Sequence, residues 1–248
     1  MNNLSGKTAL ITGASRGIGR AAALALGRAG AQIVIHYSKG EKEADAVVEE
    51  VRSVGGRAEK VCADLAAGNG AHGLAKQVRA MLGERLDILV ANAGVSKAAP
   101  IEDTSVEDFD RLYAVNVRAP YFLVQQLLPS LHRDSSVIFI SSLAARTAVA
   151  NLSAYAATKG AISTLVRYFA SALGPRGIRV NAIAPGVVDT DMSNFTKTDA
   201  GREAILNIQA LKRIAQPDDI ASVVAFLASD DSRWISGDVI QVDGGSRL

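Results

Sequence analysis

Thr12-Gly13-Ala14-Ser15-Arg16-Gly17-Ile18-Gly19 is the stretch on which the fold turns. It closes a short apolar run, Thr8–Thr12, and opens a helical pattern, Gly17–Ala29. Glycines 13, 17 and 19 permit a sharp turn and let an anion approach the helix N-terminus. The free amides and the helix dipole there favour negative charge, so strand, glycine turn and helix together read as the pyrophosphate site of a dinucleotide. The spacing is G-x-x-x-G-x-G, not the general G-x-G-x-x-G. Glycines also end strands for structural reasons alone, so the turn takes its meaning from the chain around it.

Outward from the turn the same alternation repeats. Strand-type apolar runs lie at Gln32–Tyr37, Ala58–Ala63, Leu86–Ala91, Val137–Ser141, Arg179–Ile183 and Asp238–Val242. Between them, Glu41–Val54, Ala71–Leu82, Val106–Leu131, Ser153–Leu173 and Asp218–Leu227 carry apolar residues at helical spacing, as in Ala46, Val47, Val51 and Val54. Such alternation calls for right-handed crossovers and a sheet covered on both faces. The expectation is an α/β fold: one Rossmann-like domain over residues 1–248, with a doubly wound parallel sheet of about seven strands flanked by helices. The connection between Pro185 and Pro217 breaks the rhythm, with a weak helical pattern at Arg202–Leu211. It predicts a lid-like insertion near 187–215.

Composition excludes several classes of function. The 27 Lys+Arg against 25 Asp+Glu give a net charge of +2 with no basic block, which argues against nucleic-acid binding. No apolar stretch approaches the roughly 20 residues that span a bilayer. Met1–Lys7 is polar and lacks the layout of a signal peptide. The single cysteine, Cys62, rules out an intrachain disulfide and suits a reducing cytoplasm. Cys62 is expected to be a core hydrophobe, Trp234 to pack in an interface or the core, and His72 and His132 to lie at the surface. The three histidines have no metal-ligand spacing, so no metal site is predicted.

The form of the dinucleotide is read from two places. A guanidinium at Arg16, inside the turn, reaches toward an adenosine 2′-phosphate. NAD-preferring enzymes usually place an acid after the second strand, on the ribose hydroxyls. Here that strand runs Ile33-Val34-Ile35-His36-Tyr37-Ser38-Lys39, with His36 where the acid would be and Ser38 and Lys39 as phosphate donors. NADP(H) is therefore expected, with NAD(H) as the alternative.

Tyr155-Ala156-Ala157-Thr158-Lys159 lies in a helical pattern, and residues four apart share one face. A cation beside a phenol favours phenolate and lowers a pKa that starts at about 10, which suits proton exchange near neutrality. Ser141-Ser142 ends the buried run Ser136–Ile140 just ahead of that helix, and a hydroxyl at a strand's carboxyl end faces the ligand crevice of an open α/β sheet. Asn92-Ala93-Gly94 ends the fourth strand, and Asn116 is a polar amide inside a long apolar helix.

Taken together these motifs resemble the short-chain dehydrogenase/reductase family of the classical type, along essentially the whole chain. The match rests on the Thr12–Gly19 turn, Asp64-Leu65, Asn92-Ala93-Gly94, Asn116, Ser142, Tyr155/Lys159 and Pro185-Gly186 followed by Thr190. Within the family the chain looks most like the branch of 3-oxoacyl-(acyl-carrier-protein) reductases and glucose dehydrogenases. The resemblance implies that Tyr155 is the proton donor in reduction and the base in oxidation, and that Ser142 bonds the same substrate oxygen. It implies that Lys159 holds the nicotinamide ribose and depresses the tyrosine pKa, and that Asn116 supports a water behind Lys159. Gly13, Ser15, Arg16, Gly17, Ile18 and Gly19 would cradle the phosphates, while Asp64 and Leu65 would border the adenine. Asn92, Ala93 and Gly94 would line the adenosine ribose, and Pro185, Gly186, Val188 and Thr190 the nicotinamide. The family's Asn-Asn-Ala-Gly reads Ala91-Asn92-Ala93-Gly94 here.

The expected pocket wall is Leu143, Ala144, Ala145, Thr147 and Leu152, with Val95 and Ser96 nearby and Arg146 the charge nearest the serine. Met192, Phe195, Ile205 and Leu206 come from the lid. This lining suits a ketone, a 3-oxoacyl group or a secondary alcohol. The leading expectation is an NADPH-dependent reductase of 3-oxoacyl thioesters or related carbonyls. A sugar, polyol or other alcohol dehydrogenase stands second, and a dinucleotide sensor without turnover third. The resemblance further implies a homotetramer; in its acyl-carrier-protein-dependent members basic residues at the places of Arg133 and Arg176 dock the carrier, while arginines near helix C-termini also favour the dipole without any partner.

Overall fold

The computed structural model describes residues 3–149 and 151–247. Seven strands form one parallel sheet in the order β3-β2-β1-β4-β5-β6-β7. They are β1 Thr8–Ile11, β2 Gln32–Tyr37, β3 Arg57–Cys62, β4 Leu86–Ala91, β5 Leu131–Ile140, β6 Arg179–Pro185 and β7 Val239–Val242. Side chains alternate across the sheet, so Ala9, Ile11, Ile33 and Ile35 enter one core while Leu10, Val34, Leu89 and Val137 enter the other. Helices α1 Gly17–Arg28, α2 Glu41–Ser53 and α8 Pro217–Ala228 cover the first face through Leu26, Val47, Val51 and Val224. Helices α3 Gly70–Leu82, α5 Ala119–Leu127 and α6 Ser153–Leu173 cover the second through Leu74, Leu123, Ile162 and Val166. This double cover explains why β4 reads as unbroken apolar sequence: all six of its residues are buried.

The strand order reverses between β1 and β4, and at such a switch point the crossovers leave to opposite faces and open a crevice at the strands' carboxyl ends. The glycine turn, Asn92, Ser142 and Gly186 all follow strands that end there.

Three elements depart from the sequence reading. The helix expected over Val106–Leu131 is α4 Val106–Tyr113, a π-helical turn at Ala114–Arg118, and then α5. Pro120 lacks the amide that an ordinary ladder needs, and the wider turn, closed by Ala119 N–H on Ala114 O, carries the chain past it. Strand β5 starts at Leu131 because a register shift beside Leu86 and Ile88 lets polar residues 132–135 join it, with Asp134 at φ 70°. The lid folds as a kinked 3-10 segment, Asp191–Lys197, followed by α7, Asp199–Ile208. Thr198 caps α7 by accepting from Gly201 N–H, which moves the helix ahead of the expected Arg202–Leu211.

Cys62 corrects one expectation, and Trp234 narrows another to an interface. Cys62 is the last residue of edge strand β3, which pairs only with β2, and it is exposed although Ala58 on the same face is buried. Trp234 is 96% exposed, so it does not pack in the core. His132 is half-buried, 3.3 Å from the buried carboxylate of Asp87, whereas His72 is exposed and lies against Phe122. Among the described residues no helix is long and apolar enough to cross a membrane.

Candidate active site

The glycine turn is built for an anion. Gly13 and Gly17 have φ of 63° and 55°, and a side chain at Gly19 would place its Cβ 2.4 Å from Gly13 O. Arg16, the residue that starts α1, makes no side-chain cap, and the first turn carries no acid. The amides of Gly17, Ile18 and Gly19 therefore meet an approaching phosphate unopposed. Asn92 braces the turn from β4: its Nδ2 donates to Thr12 O at 2.8 Å and Gly13 O at 3.1 Å. The buried Thr12 hydroxyl accepts from the amides of Asn92 and Ala93 at 3.0 and 2.9 Å. In sequence Thr12 reads only as the start of the turn, since a strand-end threonine is common; its position opposite two backbone amides gives it a bracing role.

Toward the adenosine side, Ser38 and Lys39 are exposed on the loop after β2, and Gly40 brings that loop beside Ser15. Asp64 is exposed and accepts from Ala66 N–H at 2.9 Å, and Leu65 is buried. His36 does not face this surface. It is buried inside β2, where Nδ1 accepts from Gly13 N–H at 3.0 Å and Nε2 lies 3.1 Å from Ala63 O. Burial lowers its pKa from 6.5 to about 4. The expected ribose or phosphate contact from His36 is thus corrected to a strut behind the turn, since alternation along β2 sends position 36 into the protein.

On the opposite side Pro185 ends β6, and Gly186 lies so close to Asp243 that a Cβ would sit 2.9 Å from its Cα. Val188 pairs with Ala215 in an isolated bridge, and Thr190 reaches over Gly17, with its Cγ2 3.4 Å from where a Cβ would lie. Arg16 meets Asp191 at 3.5 Å, both largely exposed, so the guanidinium points at the lid in this structure. The base of the lid is tied to the chain end by Ala210 N–H on Gly245 O and Leu211 N–H on Gly244 O.

Ser142, Tyr155, Lys159 and Asn116 converge at the carboxyl ends of β4 and β5. Lys159 lies one turn below Tyr155 on α6, its Nζ 5.6 Å from the ring centroid and 2.8 Å from Ile140 O, to which it donates. Full burial lowers its pKa to about 8. Tyr155 is pushed above its ordinary value by burial, and a hydrogen bond from Ser142 opposes this only in part. The expectation that Lys159 depresses the tyrosine is not met here, because its ammonium lies against the ring and a carbonyl while desolvation dominates. Asn116 sits in the π-helical turn. It accepts from Val95 N–H and donates to Val95 O, each at 2.9 Å, and donates to the Thr158 hydroxyl at 3.1 Å. It thereby holds the Gly94–Val95 segment against α6.

Arg146, expected beside the serine, turns away to Asp243 at 2.7 Å, Gln241 at 3.0 Å and Ser246 O at 3.0 Å. The neighbouring cleft, about 630 Å³, runs between Ala99–Glu102 and the 144–156 segment and includes Pro100, Ala144, Val149 and Ala156. Of the two arginines expected to dock a carrier, Arg176 donates to Leu128 O and Leu131 O at 2.7 Å each and is spent on closing α5.

A seven-stranded Rossmann-like sheet with this tyrosine, lysine, serine and asparagine at its switch point defines a nicotinamide-dependent oxidoreductase. The chain belongs to the short-chain dehydrogenase/reductase family, matching over residues 13–247 the family described as Enoyl-(Acyl carrier protein) reductase. It is 38% identical to the hydroxynaphthalene reductase-like protein Arp2 of Metarhizium brunneum, covering 98% of this chain and 96% of that one. Versicolorin reductase stcU of Emericella nidulans is also 38% identical, with the same coverage. Among solved structures, the angucycline C-6 ketoreductase LanV with bound NADP is 42% identical, with a TM-score of 0.94 over 100% of this chain and 98% of that one. These relatives are ketoreductases and aromatic-compound reductases. The expected branch of acyl-carrier-protein reductases and glucose dehydrogenases is therefore corrected to the family as a whole.

Proposed function

We propose that the protein reduces a ketone on a fused-ring aromatic skeleton to a secondary alcohol with NADPH, using Asn116, Ser142, Tyr155 and Lys159. The observation that carries this reading is the convergence of Tyr155, Lys159 and Ser142 beside an uncapped helix N-terminus, with no carboxylate among residues 36–40 at the end of β2. When bound, NADPH supplies the hydride. The residues fit it: Gly17, Ile18 and Gly19 would offer the pyrophosphate free amides, and Ser15, Ser38 and Lys39 would meet the 2′-phosphate, joined by Arg16 once it leaves Asp191. Asp64 and Leu65 would border the adenine, Ala93 and Gly94 the adenosine ribose, and Pro185, Gly186, Val188 and Thr190 the nicotinamide.

The chain's own groups manage the proton. Tyr155, raised by burial, keeps its phenolic proton at neutral pH and delivers it to the carbonyl oxygen. Ser142 donates to the same oxygen and stabilises charge developing on it. Lys159, charged below about 8, offsets negative charge left on the phenol. Asn116 keeps the floor of the site in register through Val95 and Thr158.

The fused-ring preference draws on the relatives named for hydroxynaphthalene and angucycline reduction, and on a cleft of about 630 Å³ lined by Pro100, Ala144, Val149 and Ala156, at which Glu102 sits and Arg146 is paired with Asp243. A 3-oxoacyl thioester delivered by an acyl carrier protein is less supported, since Arg176 is committed to backbone carbonyls. The family's homotetramer is proposed for this chain too, through the outer faces of α4, α5 and α6.

The test is a titration with NADPH and NADH followed by turnover with hydroxynaphthalenone-type ketones, 3-oxoacyl thioesters and polyols. NADPH binding at least about tenfold tighter, with the aromatic ketone consumed fastest, is expected. Thioester turnover alone would overturn the substrate class, and a preference for NADH the cofactor reading.

A further inference from the structure

The buried histidine behind the glycine turn does more than fill space. Two parts of the dinucleotide site meet on His36: Gly13 of the pyrophosphate turn and Ala63, which precedes Asp64 and Leu65 on the adenine side. Gly13 N–H can only donate, so Nδ1 must accept. Ala63 O can only accept, so Nε2 must carry the proton and donate. Both contacts therefore require one tautomer of the neutral ring. The next amide of the turn, Ala14 N–H, bonds His36's own carbonyl at 2.9 Å. Two successive amides of the turn, those of Gly13 and Ala14, are thus bonded by one residue. On its other side the turn is held by Asn92, so Gly13 is gripped at both its N–H and its carbonyl.

We infer that His36 is a positioning residue for the dinucleotide: it holds the pyrophosphate turn and the adenine-side loop at a fixed separation by bridging Gly13 N–H and Ala63 O. The inference rests on the dinucleotide reading above. It places His36 behind the cofactor and not in contact with it, and it assigns the turn link the larger share. Gly13 and Ala63 are both half-buried, but an amide N–H left without its acceptor is the costlier loss, since a carbonyl with two lone pairs tolerates losing one donor better.

Isosteric substitutions separate the two links. Asn presents Oδ1 where Nδ1 stands and keeps the Gly13 link; Gln presents Nε2 near the histidine's own and keeps the Ala63 link; Leu keeps neither. His36→Leu is expected to weaken NADPH binding by about tenfold or more. Adenosine 2′,5′-bisphosphate should weaken in parallel, with kcat at saturating NADPH changed by less than about threefold. His36→Asn is expected to recover most of the affinity and His36→Gln little of it. If His36→Leu does not fold, the Asn and Gln pair decides alone. Native affinity in His36→Leu, equal affinity in the Asn and Gln variants, or a loss confined to kcat would each overturn the inference. A native protein that binds neither NADPH nor NADH would instead overturn the dinucleotide reading itself.

Discussion

Lys159 and Tyr155 set the pH behaviour of the reaction. Burial lowers the lysine to about 8 and raises the tyrosine, so both groups are protonated at neutral pH. Reduction needs the phenolic proton and is helped by the ammonium. Raising the pH through about 8 discharges Lys159 while Tyr155 is still a phenol, so the rate should fall on that limb and stay flat below it. In Lys159→Met the limb near 8 should disappear from the kcat profile and the rate should drop by about 100-fold or more. A native profile that rises through pH 8 would contradict these assignments. The proposed catalytic pair Tyr155 and Lys159 is legible in sequence because residues four apart on α6 share one face, while Ser142 and Asn116 are legible as a strand-end hydroxyl and a mid-helix amide. The surroundings are not. That Arg146 turns to Asp243, and that Lys159 leans on Ile140 O, depend on residues nearly a hundred positions away or on backbone atoms that sequence does not display.

Elements with strong periodicity matched their structure, and the misses have local physical causes. Strand β2, strand β4 and helix α6 begin and end where the apolar pattern does. The π-helical turn at Ala114–Arg118 escaped because a one-residue widening leaves an apolar pattern nearly unchanged, although Pro120 marked the place. The direction of His36 escaped because the strand-end rule counts positions, while alternation decides which face each one takes. In the proposed reading, the turn after β1 and the loop after β2 together set the cofactor preference. Arg16 is exposed and pairs with Asp191 only at the surface, which leaves it free to exchange partners at little cost. Arg16→Ala is expected to weaken NADPH by about tenfold and leave NADH unchanged, measured by nicotinamide fluorescence. Equal loss for both cofactors would show that Arg16 does not read the 2′-phosphate.

At the scale of the molecule, the sheet places every named group at one end of the strands, while the outer helices carry apolar surface with no internal partner. Tyr168 is 70% exposed on α6, and Phe109 and Tyr121 are exposed on α4 and α5. Tyr113, Val117, Tyr121, Phe122 and Leu165 line a groove between these helices. A patch of this kind marks an interaction face. The native protein should sediment at four times its 25.9 kDa chain mass, and Tyr121→Glu should shift it to smaller species. A native monomer would refute the tetramer without touching the chemistry.

The chemistry is tested most directly by following deuterium from the C4 position of labelled NADPH into a fused-ring aromatic ketone, with native protein and with Tyr155→Phe. The account predicts label on the carbinol carbon of the product with native protein. It predicts a loss of turnover of about 1,000-fold or more in the variant, which still binds NADPH. Unlabelled product, or a Tyr155→Phe protein that turns over like the native one, would contradict it.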